Sequence, residues 1–474
     1  MRILKNYKFE IILGLTALGV LGIFFLSISG LIAPNRNDFT VTPNSAEPKG
    51  GNNAATPKSD ISERLSEGAK SLLPDASESK LKGMAAYGEE NYDQAIIHLE
   101  AALNENRNDP EAFIYLNNAR IGKQVAHTLA VIAPVGDTDE IGLEILRGAG
   151  QAQQDFNQSL QGNGVPIKIL IANDENDPTL AEAVATELVQ RSEVLGVLGH
   201  YSSGVTLKAA PVYSQGKLPM VSAVSTSVEL SGFSPYIFRT VPSDSFAAAA
   251  LARHMIDDLK AQRAILYYDS NSAYSLSLKS EFTTSVFSDG GEVMTEYDLA
   301  DANFDAEAQI ALAQEQGADV IMLAASTDTL APSLAVIAAA NQQFPLLGGD
   351  DLYHPQVLEE GGVNAEGLVV AVPWHVLSDP DSEFVLGARQ LWGGDVSWRS
   401  AMAYDAIASL GAALIQDPSR EGVRAALHEA EFSADGATGD VHFLPSGDRN
   451  RAAQLVHIKP GQRSGLGFDF IPVK

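Results

Sequence analysis

Two short loops carry the side chains best suited to grip a small molecule: His200-Tyr201-Ser202-Ser203 and Ser225-Thr226-Ser227. Each follows an apolar run, Val194–Leu198 and Pro219–Val224, and the first leads into a helical pattern near Val205. Open α/β sheets bind ligands at the carboxyl ends of such strands. A loop entering a helix offers free N–H groups and the positive end of the helix dipole, so Ser202 and Ser203 suit a carboxylate without an arginine. Serine at that place is also a common helix cap. The second hydroxyl-rich loop, with Ser225 and Thr226, shifts the balance from cap to ligand site. Further along, Asp350-Asp351 follows the run Phe344–Leu347 and supplies anions that would hold a cation.

Covalent chemistry lacks its residue sets. There is no GxSxG elbow, HExxH, phosphate loop or GxGxxG after a strand. Ser202 and Ser203 stand beside His200 on one loop, where a base does not face its nucleophile. The nine histidines are scattered, with no pair at i,i+4 spacing. The absence of cysteine removes disulfides, thiolate chemistry and cysteine-ligated zinc. Asp350-Asp351 lacks a second member for an acid–base dyad. The expectation is a site that binds without transforming, with no catalytic residue, metal or cofactor. A net charge of −28 argues against nucleic-acid backbones as partners.

The 474-residue chain, 45% hydrophobic and 19% charged, is globular and too long for one core. Arg2, Lys5 and Lys8 precede the uncharged apolar run Ile11–Ala33, which is long enough to cross a hydrocarbon layer of ~30 Å as a helix. A retained anchor is expected in preference to a cleaved signal, because Pro34 follows the obvious small-residue site. The basic flank then leaves the N-terminus in the cytoplasm and exports the body. Residues 34–76 read as a flexible linker, with room for a short helix around Ile61–Leu73. Residues 77–122 read as two helices and the start of a third. From His127 onward, strands and helices alternate in two series, which implies parallel sheets covered on both faces and two doubly wound lobes with a cleft between them.

Two resemblances sharpen this reading. Gly83, Ala86, Tyr92, Ala95, Leu99, Ala102, Leu103 and Pro110 stand as in a tetratricopeptide repeat, although only one full unit is visible and about three make a stable solenoid. The segment reads either as a spacer packed on the next domain or as a partner-docking surface. The stretch from about Leu129 to Phe470 resembles the periplasmic amino-acid-binding proteins of the leucine/isoleucine/valine type, the type I solute receptors of ABC importers. The resemblance is carried by Gly199–Ser203, Leu218–Ser222, Pro235–Thr240, Asp269–Ser275, Ala403–Ala406 and Gly439–Asp448, in the family's order.

That resemblance implies roles residue by residue. Ser203 would bind a ligand α-carboxylate, main-chain groups at Val224 and the Thr226 hydroxyl would reach the head group, and Tyr274 would close over it from the second lobe. Asp350, or Asp351 beside it, would hold the α-ammonium. Ile141 stands near the place of a family aromatic, and Ser326-Thr327-Asp328 stands where a tyrosine often follows the strand Val320–Ala324. These departures weaken the case for an apolar aliphatic ligand. Trp374 is expected in hinge packing. The resulting expectation is an anchored, exported receptor for a small amino-acid-like solute, serving an ABC permease. Its domains would be an anchor or signal (1–33), a linker (34–76), the repeat-like segment (77–122), lobe 1 (127–243 and 376–436) and lobe 2 (244–375 and 437–474). Crossovers would lie near Val241–Ser245, Val372–Ser378 and Ala434–Gly439. The alternative is an interaction or sensory protein using a degenerate binding fold and the helical segment.

Overall fold

The computed structural model describes residues 61–136 and 140–473. The expected anchor, Ile11–Ala33, lies outside them; among the described residues no helix is long and apolar enough to cross a membrane.

The first lobe is built on a six-stranded sheet. Its strands are β1 (Leu65–Ser66), β2 (His127–Ile132), β3 (Ile167–Ala172), β4 (Val194–Leu198), β5 (Met220–Ser222) and β6 (Ile237–Arg239), in the order β1-β3-β2-β4-β5-β6. All pairings are parallel except that of β1 with β3. Successive side chains of a strand leave opposite faces, so an apolar run covered on both sides feeds two cores. In β2, Leu129 and Val131 enter one core while Ala130 and Ile132 enter the other. Helices α5 (Pro178–Gln190) and α6 (Ser203–Gly216) cover one face; α4 (Glu140–Ser159) and α13 (Trp398–Gln416) pack on the other.

Before them in the chain, α1 (Glu78–Gly88), α2 (Tyr92–Glu105) and α3 (Pro110–Ile121) form the segment that resembles a repeat. Ser77, Asn91 and Asp109 cap the three N-termini through their side chains. A Cβ at Gly83 would stand 2.7 Å from Leu99 Cγ, so only glycine lets α1 and α2 approach this closely. Helix α3 does not open a further stacked unit; it is wedged on lobe 1. The Asn118 side chain donates to Ile169 O at 2.8 Å and accepts from Ile169 N at 3.0 Å. The buried Lys80 ammonium sits 2.8 Å from both Asp109 and Glu111.

The linker expectation fails from Ile61 onward. Leu65 and Ser66 add an antiparallel edge to β3, Asn118 donates to Glu67 O at 2.9 Å, and Glu111 receives Leu72 N at 2.6 Å and Ser71 Oγ at 2.7 Å. Buried Leu65 and these bonds order a stretch whose composition alone resembles a spacer.

The second lobe carries β7 (Arg263–Tyr268), β8 (Glu292–Asp298), β9 (Val320–Ala324), β10 (Leu346–Gly348), β11 (Val369–Val372), β14 (Gln454–Pro460) and β15 (Phe468–Pro472), in the order β15-β14-β11-β10-β9-β7-β8. Helices α7 (Asp244–Arg253) and α8 (Ala273–Ser288) bury one face, and α9 (Ala306–Gln316) and α10 (Leu330–Ala340) the other. The short helix α11 (Pro355–Glu359) packs near β15, while α12 (Glu383–Trp392) and α14 (Arg420–Leu427) return to lobe 1.

The chain crosses between lobes from β6 to α7 and from β11 to α12. Trp374 is buried at the second crossing and meets the Phe384 ring edge-on at 5.8 Å. The third crossing is later than Ala434–Gly439. There β12 (Ala434–Gly436) and β13 (Gly439–Val441) form a hairpin on α13. Gly447 O accepts from Arg239 N at 2.9 Å, and Asp448 pairs with Arg239 at 2.6 Å. Arg449 reaches the buried Asp405 at 3.6 Å. Residues 437–449 therefore stay with lobe 1, and the lobe 2 segment begins just before Gln454. A motif of Gly, Asp and Val carries no signal of which sheet its neighbours extend.

Candidate functional site

A cleft of about 480 Å³ opens between the lobes at the carboxyl ends of β4, β5 and β10. Nine of the ten residues singled out from sequence line it: Ile141, Ser202, Ser203, Val224 and Thr226 from lobe 1, with Tyr274, Thr327, Asp350 and Asp351 from lobe 2. The tenth, Ser225, faces the protein. Its hydroxyl is 2.7 Å from Thr206 Oγ1 and donates to Tyr201 O at 2.9 Å. In the alternation along an extended loop, Val224 and Thr226 point one way and Ser225 the other.

Helix α6 begins at Ser203, two residues earlier than its apolar pattern indicates. Ser202 is its N-cap in extended conformation, yet its side chain makes no capping bond. The first intrahelical bond runs from Thr206 N to Ser202 O at 2.9 Å, so the N–H groups of Ser203, Gly204 and Val205 precede the ladder and face the cleft end. Ser203 Oγ accepts from Ser227 N at 3.2 Å, which ties the two loops together and leaves its proton available. Thr226 Oγ1 is buried without a hydrogen-bond partner. Together these groups form a donor-rich wall.

The opposite wall is acidic. Asp350 follows β10 in a single helical turn, Asp350–Leu352. Burial, reinforced by the neighbouring charges of Asp351 and Asp244, pushes its carboxyl up to about 7, with Arg399 acting in the opposite direction. Asp351 is also raised, by burial, but it has partners. It pairs with Arg399 at 3.2 Å and accepts from Thr327 N at 3.1 Å. Asp350 forms no ion pair among the described residues. Tyr274 OH is buried with no hydrogen-bond partner. A Cβ at Gly349 would stand 2.2 Å from that hydroxyl, so glycine makes room for the ring.

Three groups at the site had no assigned role from sequence. Arg399 enters from α13, buried with its guanidinium 4.4 Å over the Trp398 ring. Tyr201 OH lies 2.7 Å from Thr327 Oγ1 across the cleft. Asp244, buried at the start of α7, has its carboxyl pushed up to about 6 by burial. With the Val228 N to Ser277 Oγ bond of 3.0 Å, Tyr201–Thr327 and Arg399–Asp351 connect the lobes, so the cleft is closed. Tyr201 lay within a recognisable motif, but its reach across the cleft is a property of the fold. Arg399 had no local signal. Behind the first loop, His200 Nδ1 is 2.6 Å from Asp174 and Nε2 is 3.0 Å from Tyr213 OH, all fully buried, which pins the loop from below. Among the described residues no group of three His, Cys, Asp or Glu side chains is arranged to hold a metal.

Two lobes of mainly parallel sheet, three crossovers and a closed cleft with a helix N-terminus on one wall define a two-lobed solute-binding fold. The chain belongs to the periplasmic binding protein family, whose model matches residues 128–463. Among curated relatives, an amino acid binding protein of Pseudomonas aeruginosa is 30% identical over 138 residues, 29% of this chain and 37% of that protein. The leucine-specific-binding protein of Salmonella typhimurium is 25% identical over 314 residues, 64% of this chain and 82% of that one. Among solved structures, an ABC transporter substrate-binding protein from Desulfitobacterium hafniense in complex with Leu superposes with a TM-score of 0.61 at 24% identity, covering 73% of this chain and 99% of that one. The family and fold are those of solute-binding receptors, not of enzymes. The repeat resemblance of residues 77–122 has no counterpart in the family match, which begins at residue 128.

Proposed function

We propose that this protein is an exported receptor that captures a small amino-acid-like solute in the interlobe cleft and delivers it to an ABC permease. One observation carries the reading: a donor-rich helix end faces a buried, unpaired carboxylate across the same cleft. A zwitterionic head group matches both walls. Its carboxylate would take Ser203 Oγ, the α6 N–H groups and the Thr226 hydroxyl, while its ammonium would neutralise Asp350 beneath Tyr274. A buried charge left unpaired costs several kcal/mol, so Asp350 is better satisfied by a cation than by an empty cleft. The relatives named leucine-specific and amino acid binding support the solute class, and the relative titled an ABC transporter substrate-binding protein supports the delivery partner.

The family supports export, and insertion of Ile11–Ala33 as the anchor is part of the proposal. The helical segment would act as a spacer fused to lobe 1; burial of most of α3 supports this over partner docking. The test is a melting-temperature screen of the purified protein against amino acids, since a ligand that binds only the native state raises it. Mass measurement of small molecules released on denaturation identifies any that co-purify. No shift with any amino acid, and no released solute, would remove the receptor reading.

A further inference from the structure

The charge balance of the cleft narrows the solute class, on the premise that the receptor reading holds. Glu175, Asp328, Asp350 and Asp351 line the cleft, and no Lys, Arg or His among the described residues lines it. Two of these acids are matched: Glu175 pairs with Arg64 at 2.7 Å and Asp351 with Arg399 at 3.2 Å. Among the described residues Asp350 and Asp328 form no ion pair, and neither does Asp244 behind them, whose Oδ2 is buried without a partner. Among the described residues, three carboxyl groups at or beside the cleft therefore lack a basic side-chain partner.

A neutral zwitterion brings one charge of each sign and leaves that surplus unchanged. Closure removes water and strengthens every remaining interaction between charges, so a surplus of one sign becomes more costly as the lobes shut. A second cation on the ligand offsets it. The site is built for polar contact independently of its acids, because the Thr226 and Tyr274 hydroxyls line the same cavity, buried and unpartnered. The cavity also falls in the size range of sites that hold whole small molecules, leaving space beyond a head group. We infer that the solute carries net positive charge: an α-amino acid whose side chain ends in an amine or guanidinium, with that end directed to Asp328 at the exposed edge of the cleft.

The full-length protein, dialysed free of ligand, is titrated calorimetrically with lysine, arginine, putrescine, leucine and glutamate. Lysine or arginine is expected to bind at least about tenfold more tightly than leucine, a difference of about 1.4 kcal/mol. Its affinity should fall between about 10 and about 300 mM salt, as for charges near the surface. The Asp328→Asn protein should lose about two- to fivefold in affinity for the cationic amino acid, the range of an exposed ion pair. Tighter binding of leucine than of lysine and arginine would overturn the charge inference and leave the receptor reading standing. Binding of none of the five would overturn the charge inference, while the receptor reading falls only if the wider amino-acid screen is also negative. Putrescine binding as tightly as lysine would support the charge inference while removing the carboxylate role of α6. Unchanged affinity in Asp328→Asn would overturn the assignment of the second cation to that residue.

Discussion

Replacing Asp350 by asparagine separates the cost of this carboxyl from its use. Burial pushes it up to about 7 in the folded protein, against an ordinary 3.8. At about 1.36 kcal/mol per unit, ionising it in the ligand-free protein costs up to about 4 kcal/mol. The groups that face it are Asp351 beside it, Asp244 from α7, Tyr274 from α8 and Arg399 from α13. A folded value above the unfolded one means that the native state holds the proton more tightly. This group's contribution to stability is therefore best below about pH 4 and declines as pH rises to about 7, with the full penalty above that. The assay is urea unfolding of ligand-free wild type and Asp350→Asn from pH 4 to pH 8. The variant should match wild type near pH 4 and exceed it progressively up to pH 8, by no more than about 4 kcal/mol. It should also lose the melting-temperature rise produced by α-amino ligands. Parallel pH curves, or a variant less stable at pH 8, would refute the strained-carboxylate argument; retained ligand response would move the ammonium elsewhere.

Further outcomes follow from the same geometry. Thr226→Val deletes a hydroxyl that makes no bond in the protein, so ligand-free stability should change little while the dissociation constant rises about tenfold, the worth of one hydrogen bond at about 1–1.5 kcal/mol; a large stability loss with unchanged affinity would contradict this. Lys80→Met leaves Asp109 and Glu111 unpaired beneath α1 and should destabilise the fold by about 3–5 kcal/mol, seen as early proteolysis within residues 61–122. A wild-type protease pattern would show that α1 is not held to α3 by this ion pair.

Much of this was legible along the chain. Strands β4 and β9 match their apolar runs end to end, because a strand buried on both faces carries no polar side chain. Ser203, Thr226, Tyr274 and Asp350 line the cleft as expected, since loops at the carboxyl ends of parallel strands converge wherever the sheet is doubly wound. Errors arose where the outcome depended on contacts between distant segments. Ile61–Ala76 has a linker's composition, yet Asn118 and Glu111 hold it to lobe 1. Residues 437–449 remain with lobe 1 because Arg239 and Asp405 receive them there. Ser225 shares its neighbours' chemistry and differs only in the direction it faces.

Periodicity and loop composition alone determined the architecture: alternating elements, two lobes and the hydroxyl and acid loops at strand ends. These are local properties, set by which side chains a helix or strand must bury. Which carboxylate is paired was decided by tertiary structure. Asp350 and Asp351 are adjacent and identical in sequence terms, but the buried Arg399 from α13 reaches only the second. The first is left ionisable, unpaired and facing the helix end across the closed cleft, because counter-ions are assigned by distance in space and not by order in the chain.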